Sequence, residues 1–163
     1  MHVFRGLPSP LQRRPSAVAI GNFDGVHLGH QALLEYVKEA AQARGLVPSV
    51  VTFEPHPKDF FGRGGEVARI STLYDKVNAI LGTGIERIYI LPFNSRLACM
   101  PAETFVRDVL LKGLDACWMS VGKDFRFGGD RAGSVELLEE LSRTLPYELY
   151  VYPTLSLIHI SEP

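Results

Sequence analysis

The sequence predicts an α/β fold, an open parallel sheet with helices on both faces. Two observations carry this. Short apolar runs alternate with longer amphipathic stretches along the chain, and the unusual residues collect directly after the apolar runs. Strict alternation of strand and helix implies a parallel sheet covered on both sides. Ligands of such sheets bind at the carboxyl ends of the strands.

The elements follow in order. Ser16–Ile20 is a short apolar run closed by Gly21, and it reads as a buried strand. Gly29–Arg44 places Leu33, Leu34, Val37, Ala40 and Ala41 at helical spacing, with Gly45 as its C-terminal cap. Pro48–Phe53 is a second strand, carried by Val50, Val51 and Phe53. Glu54–Ser71 reads as a loop, because Pro55, Pro57, Gly62, Gly64 and Gly65 oppose regular structure. Thr72–Leu81 reads as a helix, Arg87–Leu91 as a third strand, and Pro101–Lys112 as a helix with proline in its first turn. Ala116–Val121 is a fourth strand. Ser134–Thr144 is a helix with acidic residues near its start and Arg143 in its last turn, the order its dipole favours. Tyr147–Tyr152 is a fifth strand. The loops after Ile20, Phe53, Leu91 and Val121 then share the ligand-binding edge of a Rossmann-like sheet.

Composition narrows the function. The chain has 163 residues, 46% hydrophobic and 21% charged, with a formal net charge of −1. That suits one compact domain, and the small net charge is not the basic excess of a nucleic-acid groove. No nucleic-acid partner is expected. An anionic substrate must be held by local groups rather than by the overall field. Cys99 and Cys117 form no CxxC pair and read as free thiols of a reducing cytoplasm. No apolar run near the chain start has signal-peptide length, and none approaches the ~20 residues of a membrane span, so a cytoplasmic protein without a membrane partner is expected.

The strongest motif is Gly21-Asn22-Phe23-Asp24-Gly25-Val26-His27-Leu28-Gly29-His30, between the first strand and the first helix. Gly21, Gly25 and Gly29 permit a tight turn and a close approach to a ligand. His30 begins the helix, where bare backbone N–H groups and the positive dipole end favour a phosphate. His27 and His30 bracket one turn, so both imidazoles can face one anion. Read as packing alone, the glycines serve a strand–helix turn that the histidines cap. A zinc site of His27, His30 and His56 is a further reading, without the acidic base or clustered thiolates such sites use.

Three other stretches lie on the same edge. Thr52-Phe53-Glu54-Pro55-His56-Pro57 ends the second strand with a stiff exit, and His56 is a candidate ligand contact or an exposed turn residue. Gly122-Lys123-Asp124-Phe125-Arg126-Phe127-Gly128-Gly129-Asp130-Arg131-Ala132-Gly133 follows the fourth strand. Arg126 offers a planar fork for a phosphate. Phe125 and Phe127 either wall a pocket or pack in the core at alternate positions. Pro92-Phe93-Asn94-Ser95-Arg96-Leu97-Ala98-Cys99-Met100 follows the third strand and supports the fold more than any chemistry.

These motifs resemble the bacterial FAD synthetase family. His27-Leu28-Gly29-His30 is the His-x-Gly-His of the nucleotidylyltransferase superfamily, and the ten-residue form around it is that of the FAD synthetases. Thr-Phe-(Asp/Glu)-Pro-His-Pro and Gly-x-(Asp/Asn)-Phe-x-Phe-Gly recur in that family at the second and third motifs. The resemblance covers Arg13 to about Pro153 and implies the nucleotidylyltransferase fold. It also implies transfer of AMP from ATP to FMN, giving FAD and pyrophosphate. It assigns His27 and His30 to catalysis. Gly21, Asn22, Phe23, Asp24, Gly25, Gly29, Asp124, Phe125 and Arg126 fall to the nucleotide, and His56 and Phe127 to the substrate. Mg²⁺ is expected with ATP, held by substrate and water. No protein ligand is assigned to it.

Residues 1–153 are thus read as an adenylyltransferase domain and 154–163 as a tail outside the family pattern. The family's Ile-Ser-Ser-Thr-x-x-Arg motif has no counterpart, since Ile160-Ser161 precedes Glu162-Pro163, and the riboflavin kinase domain that usually follows is not present in this sequence. The alternatives are another nucleotidylyltransferase of the superfamily, or a nucleotide-binding but inactive fragment.

Overall fold

A computed structural model describes residues 2–23, 28–54, 66–123, 125–129 and 133–152, and of residues 28–30 and 66–72 the backbone alone. The strands are β1 (His2–Arg5), β2 (Ser16–Ile20), β3 (Val47–Glu54), β4 (Arg87–Pro92), β5 (Ala116–Gly122) and β6 (Glu148–Tyr152). They form one sheet in the order β1-β4-β3-β2-β5-β6, every pair parallel. The predicted Rossmann-like α/β fold is present. Its central strand is β2, from which the chain winds to β3 and β4 on one side and to β5 and β6 on the other.

The helices are α1 (Leu28–Arg44), α2 (Glu66–Leu81), the single turns α3 (Ser95–Ala98) and α4 (Ala102–Thr104), and α5 (Val135–Leu141). Period-two alternation sorts the strand side chains into two cores. Ala17, Ala19, Val50, Ile88 and Ile90 face α1 and α2, meeting Leu34, Val37, Ala41 and Ile80. Val18, Ile20, Val51, Tyr89, Met119 and Val121 face the opposite layer, meeting Val106, Leu110 and Leu138. β2 is buried at all five positions, as a central parallel strand must be.

Gly45 caps α1 as its position predicts. It has φ +68°, its N–H donates to the Gln42 carbonyl at 3.4 Å, and the Leu46 N–H donates to Ala41 at 2.9 Å. This pair of bonds satisfies two of the carbonyls in the last turn of the helix.

Four expectations need correction. The loop predicted to run to Ser71 gives way to α2 at Glu66, directly after Gly64 and Gly65. Val67, Ile70, Leu73, Val77 and Ile80 keep helical spacing from that point, and this periodicity outweighs the glycines before it. The helix predicted over Pro101–Lys112 begins as α4 with Pro101 at its N-cap, then widens into a π-helical stretch over Phe105–Gly113. α5 stops at Leu141, so Arg143 lies in the turn beyond it rather than in its last turn. Finally, β1 adds a sixth strand at the β4 edge, with His2 to Arg5 in register with Arg87 to Ile90.

Candidate functional site

In an open sheet of this kind the ligand crevice opens where the winding reverses. Here that is the carboxyl end of β2, flanked by the ends of β3 and β5. The register sets Ile20 beside both Val51 and Val121. The first motif leaves β2 at this point and the third leaves β5 beside it.

Gly21 continues the sheet, its N–H donating to the Val51 carbonyl at 3.1 Å. Asn22 follows. Its carbonyl accepts from the Lys76 ammonium at 2.7 Å and from the Thr52 hydroxyl at 3.2 Å. Its side-chain Oδ1 is buried and has no hydrogen-bond partner among the described residues. Phe23 then adopts φ +52° with its side chain 4% exposed. A bulky non-glycine residue is rarely found there, and such conformations persist only where surrounding packing enforces them. The ring lies over Gly21, whose absent Cβ would stand 3.4 Å from it.

α1 begins at Leu28, so Gly29 and His30 occupy its first turn. The first backbone N–H groups of an α-helix have no partner within the helix itself. Asp24, Gly25 and His27 lie outside the described residues, as does the side chain of His30. His56 and Asp124 also lie outside them.

Several backbone contacts hold the described residues of the third motif, among them the bond from the Lys123 N–H to the Tyr152 carbonyl at 3.0 Å. The Phe125 N–H donates to the Gly122 carbonyl at 3.1 Å, closing a turn directly off β5. Phe127 and Gly133 pair antiparallel through bonds of 3.2 and 2.8 Å, and Gly129 donates to the Met100 carbonyl at 2.7 Å. Phe127 is buried, its ring centroid 5.6 Å from Phe105 and 5.5 Å from Phe125. Phe125 is half-buried and Arg126 exposed. Both line a cleft of about 270 Å³ with Lys123, Ser134, Val135 and Glu136. The structure thus brings Phe125 and Arg126 to one opening, while Phe127 supports them from within.

Lys76 and Thr52 are the residues of this site whose roles sequence reasoning missed. Thr52 stands inside a motif that drew attention for His56. Lys76 occupies the buried stripe of α2 between Leu73 and Ile80, and it is 5% exposed. A cation on an apolar helix face was the available signal.

Cys99 is exposed and Cys117 partly buried, and both are free. Burial, then the Asp115 carboxylate, pushes the Cys117 thiol up, the opposite of a reactive thiolate. Among the described residues no group of three His, Cys, Asp or Glu side chains is placed to hold a metal ion, and no helix is long and apolar enough to cross a membrane.

A six-stranded parallel sheet with helices on both faces, wound outward from β2 in both directions, defines an α/β domain of the Rossmann-like class. Comparison narrows the class: the model of the FAD synthetase family matches residues 9–161, and the chain belongs to that family. Among curated relatives it is 41% identical over 140 residues to a bifunctional riboflavin kinase/FMN adenylyltransferase of Pseudomonas fluorescens, covering 85% of this chain and 45% of that protein. It is 34% identical over 152 residues to the protein of the same name in Escherichia coli K12, covering 91% and 48%. The chain therefore spans about half the length of these relatives. A solved structure described as a macrolide-efflux protein from Streptococcus pneumoniae superposes with a TM-score of 0.66 at 26% identity, over 94% of this chain and 51% of that one.

Proposed function

We propose that this chain is the adenylyl-transferring half of its protein, moving AMP from ATP to FMN to give FAD and pyrophosphate. The observation that carries this is the position of the Gly21–His30 motif, which runs from the end of the central strand into the first turn of α1 at the winding reversal. The two relatives are named for riboflavin kinase and FMN adenylyltransferase activities, and the family model that matches residues 9–161 is that of FAD synthetase, which supports the adenylyl-transfer reading.

In this reading ATP lies over the first loop, with its phosphates toward His27, His30 and the first turn of α1. An FMN phosphate oxygen attacks the α-phosphorus. The bond from that phosphorus to the β-bridging oxygen breaks, and pyrophosphate carries the electron pair away. No protein nucleophile is needed, because transfers of this type depend on positioning and charge stabilisation. Phe125 and Arg126 border the nucleotide together with Asp124, and Phe127 shapes that wall from beneath. His56, two residues beyond β3 in the sequence, is assigned to the substrate.

A Mg²⁺ bound with ATP would be held chiefly by phosphate and water oxygens and would supply neutralisation of phosphate charge. The Oδ1 of Asn22, which has no partner among the described residues, would suit the hydration shell of that ion as an acceptor, and Asp24 is the acidic residue next along the same motif. The substrates are small molecules of the cytoplasm.

The test is acceptor choice. The full-length protein, given ATP labelled at the α-phosphate, is expected to label FMN and to leave nicotinamide mononucleotide and phosphopantetheine unlabelled. Labelling of either of those in preference to FMN contradicts the assignment.

A further inference from the structure

We infer that Lys76 is a positioning residue, a buried cation of α2 that aims the catalytic loop by holding the last peptide before it. This rests on the adenylyl-transfer reading for its functional consequence, though not for its geometry.

The Lys76 ammonium donates to the Asn22 carbonyl at 2.7 Å and to the Thr52 Oγ1 at 3.1 Å. Thr52 in turn donates to the same carbonyl at 3.2 Å, and it is fully buried. Three elements therefore meet on one oxygen: the exit of β2, the end of β3 and the buried face of α2. A peptide unit is planar and trans, so its C=O and N–H point in opposite directions. Fixing the Asn22 oxygen toward α2 fixes the plane of the Asn22–Phe23 peptide. Phe23, at φ +52°, then sets the direction in which the chain departs toward residues 24–30. Burying a charge costs more than burying a methylene chain of equal length, so an ammonium at this depth needs polar partners, of which the Asn22 carbonyl and Thr52 Oγ1 are two. An apolar side chain would serve packing equally well. What it cannot do is grip a carbonyl.

Small errors of placement are costly in reactions that depend on alignment, on the order of 10²-fold for about 1 Å. Lys76→Met keeps the length of the side chain and removes the donor, and Thr52→Val keeps the shape of threonine and removes the hydroxyl. Steady-state kinetics of FAD formation by the full-length protein, thermal melting and amide hydrogen exchange of residues 21–23 and 28–30 are measured for both variants and for their double.

Lys76→Met is expected to lower kcat at least about tenfold, to speed exchange in both segments, and to leave the melting midpoint within a few degrees of the parent. The double variant is expected to be no slower than Lys76→Met alone, since the two residues hold the same oxygen. Unchanged kcat and KM with unchanged exchange in both single variants overturns the inference, whatever happens to the melting point. Should Lys76→Met fail to fold, Thr52→Val decides by the same readouts, with a smaller loss expected. If the unmutated protein makes no FAD while exchange still rises in Lys76→Met, the adenylyl-transfer reading fails and the positioning role stands.

Discussion

Gly128 lies against the backbone of Ala102, so closely that a Cβ on it would stand 2.9 Å from the Ala102 Cα and 3.1 Å from its nitrogen. Its φ is +80°, a conformation that a side chain resists. The turn leaving β5 is thereby locked onto the start of α4. Gly128→Ala meets both the strained backbone and an immovable neighbour, and it is expected to cost about 2–4 kcal/mol. Chemical denaturation should show a lowered midpoint with an unchanged slope. A midpoint equal to the parent would mean that the turn does not pack on α4.

Tyr147 stitches the last strand to α5. Its hydroxyl donates to the Leu138 carbonyl at 2.6 Å, and burial pushes the phenol up to about 12. Tyr147→Phe is expected to cost about 1 kcal/mol, a fall of roughly 2–4 °C in Tm for a chain of this size. A phenol raised above its ordinary value of 10.0 contributes stability that is complete below that value and lost as pH rises toward 12. The parent should therefore lose stability between these limits more steeply than Tyr147→Phe does, as pH-dependent denaturation would show.

Arg44, at the end of α1, reaches β6 through two bonds to Glu148, of 2.9 and 3.3 Å. The hydrogen bond from Arg44 holds the Glu148 carboxyl below its usual value, burial opposes it, and the Arg44 charge adds to the lowering. A depressed carboxyl contributes above its unfolded value of 4.5 and loses that contribution as pH falls through the folded value. Both groups are solvent-exposed, so the effect is small and screened by salt. Glu148→Gln should be slightly less stable than the parent at neutral pH in dilute buffer, and the two should converge once the pH is well below 4.5. A gap that persists in acid would assign the effect to packing instead.

Much of this architecture was legible because period and punctuation agreed. Ser16–Ile20 is apolar throughout and ends on Gly21, which is what a fully buried central strand requires. β1 was not legible. His2–Arg5 is four residues long on the sheet edge and mostly exposed, so it carries no burial pattern to read. The start of α2 was hidden because Gly64 and Gly65 stand next to its first residue, and local punctuation masked the apolar spacing that followed.

At the site, glycines and histidines advertise themselves by residue type. Lys76 does not, because its meaning lies in three elements meeting on the Asn22 carbonyl, and only the fold brings them together. Phe127 and Phe125 sit two apart and read alike in sequence. One is buried against Phe105 while the other borders the cleft, a distinction made by the Phe127–Gly133 pairing.

The central claim is that His27 and His30 act on the phosphates of a nucleotide bound at the end of β2. Pre-steady-state formation of FAD from FMN and ATP, compared among the full-length parent, His27→Ala and His30→Ala, tests it most directly. Each variant should lose on the order of 10²–10³-fold in the rate of AMP transfer while keeping the parent's melting temperature. Variants that form FAD as fast as the parent would contradict the claim.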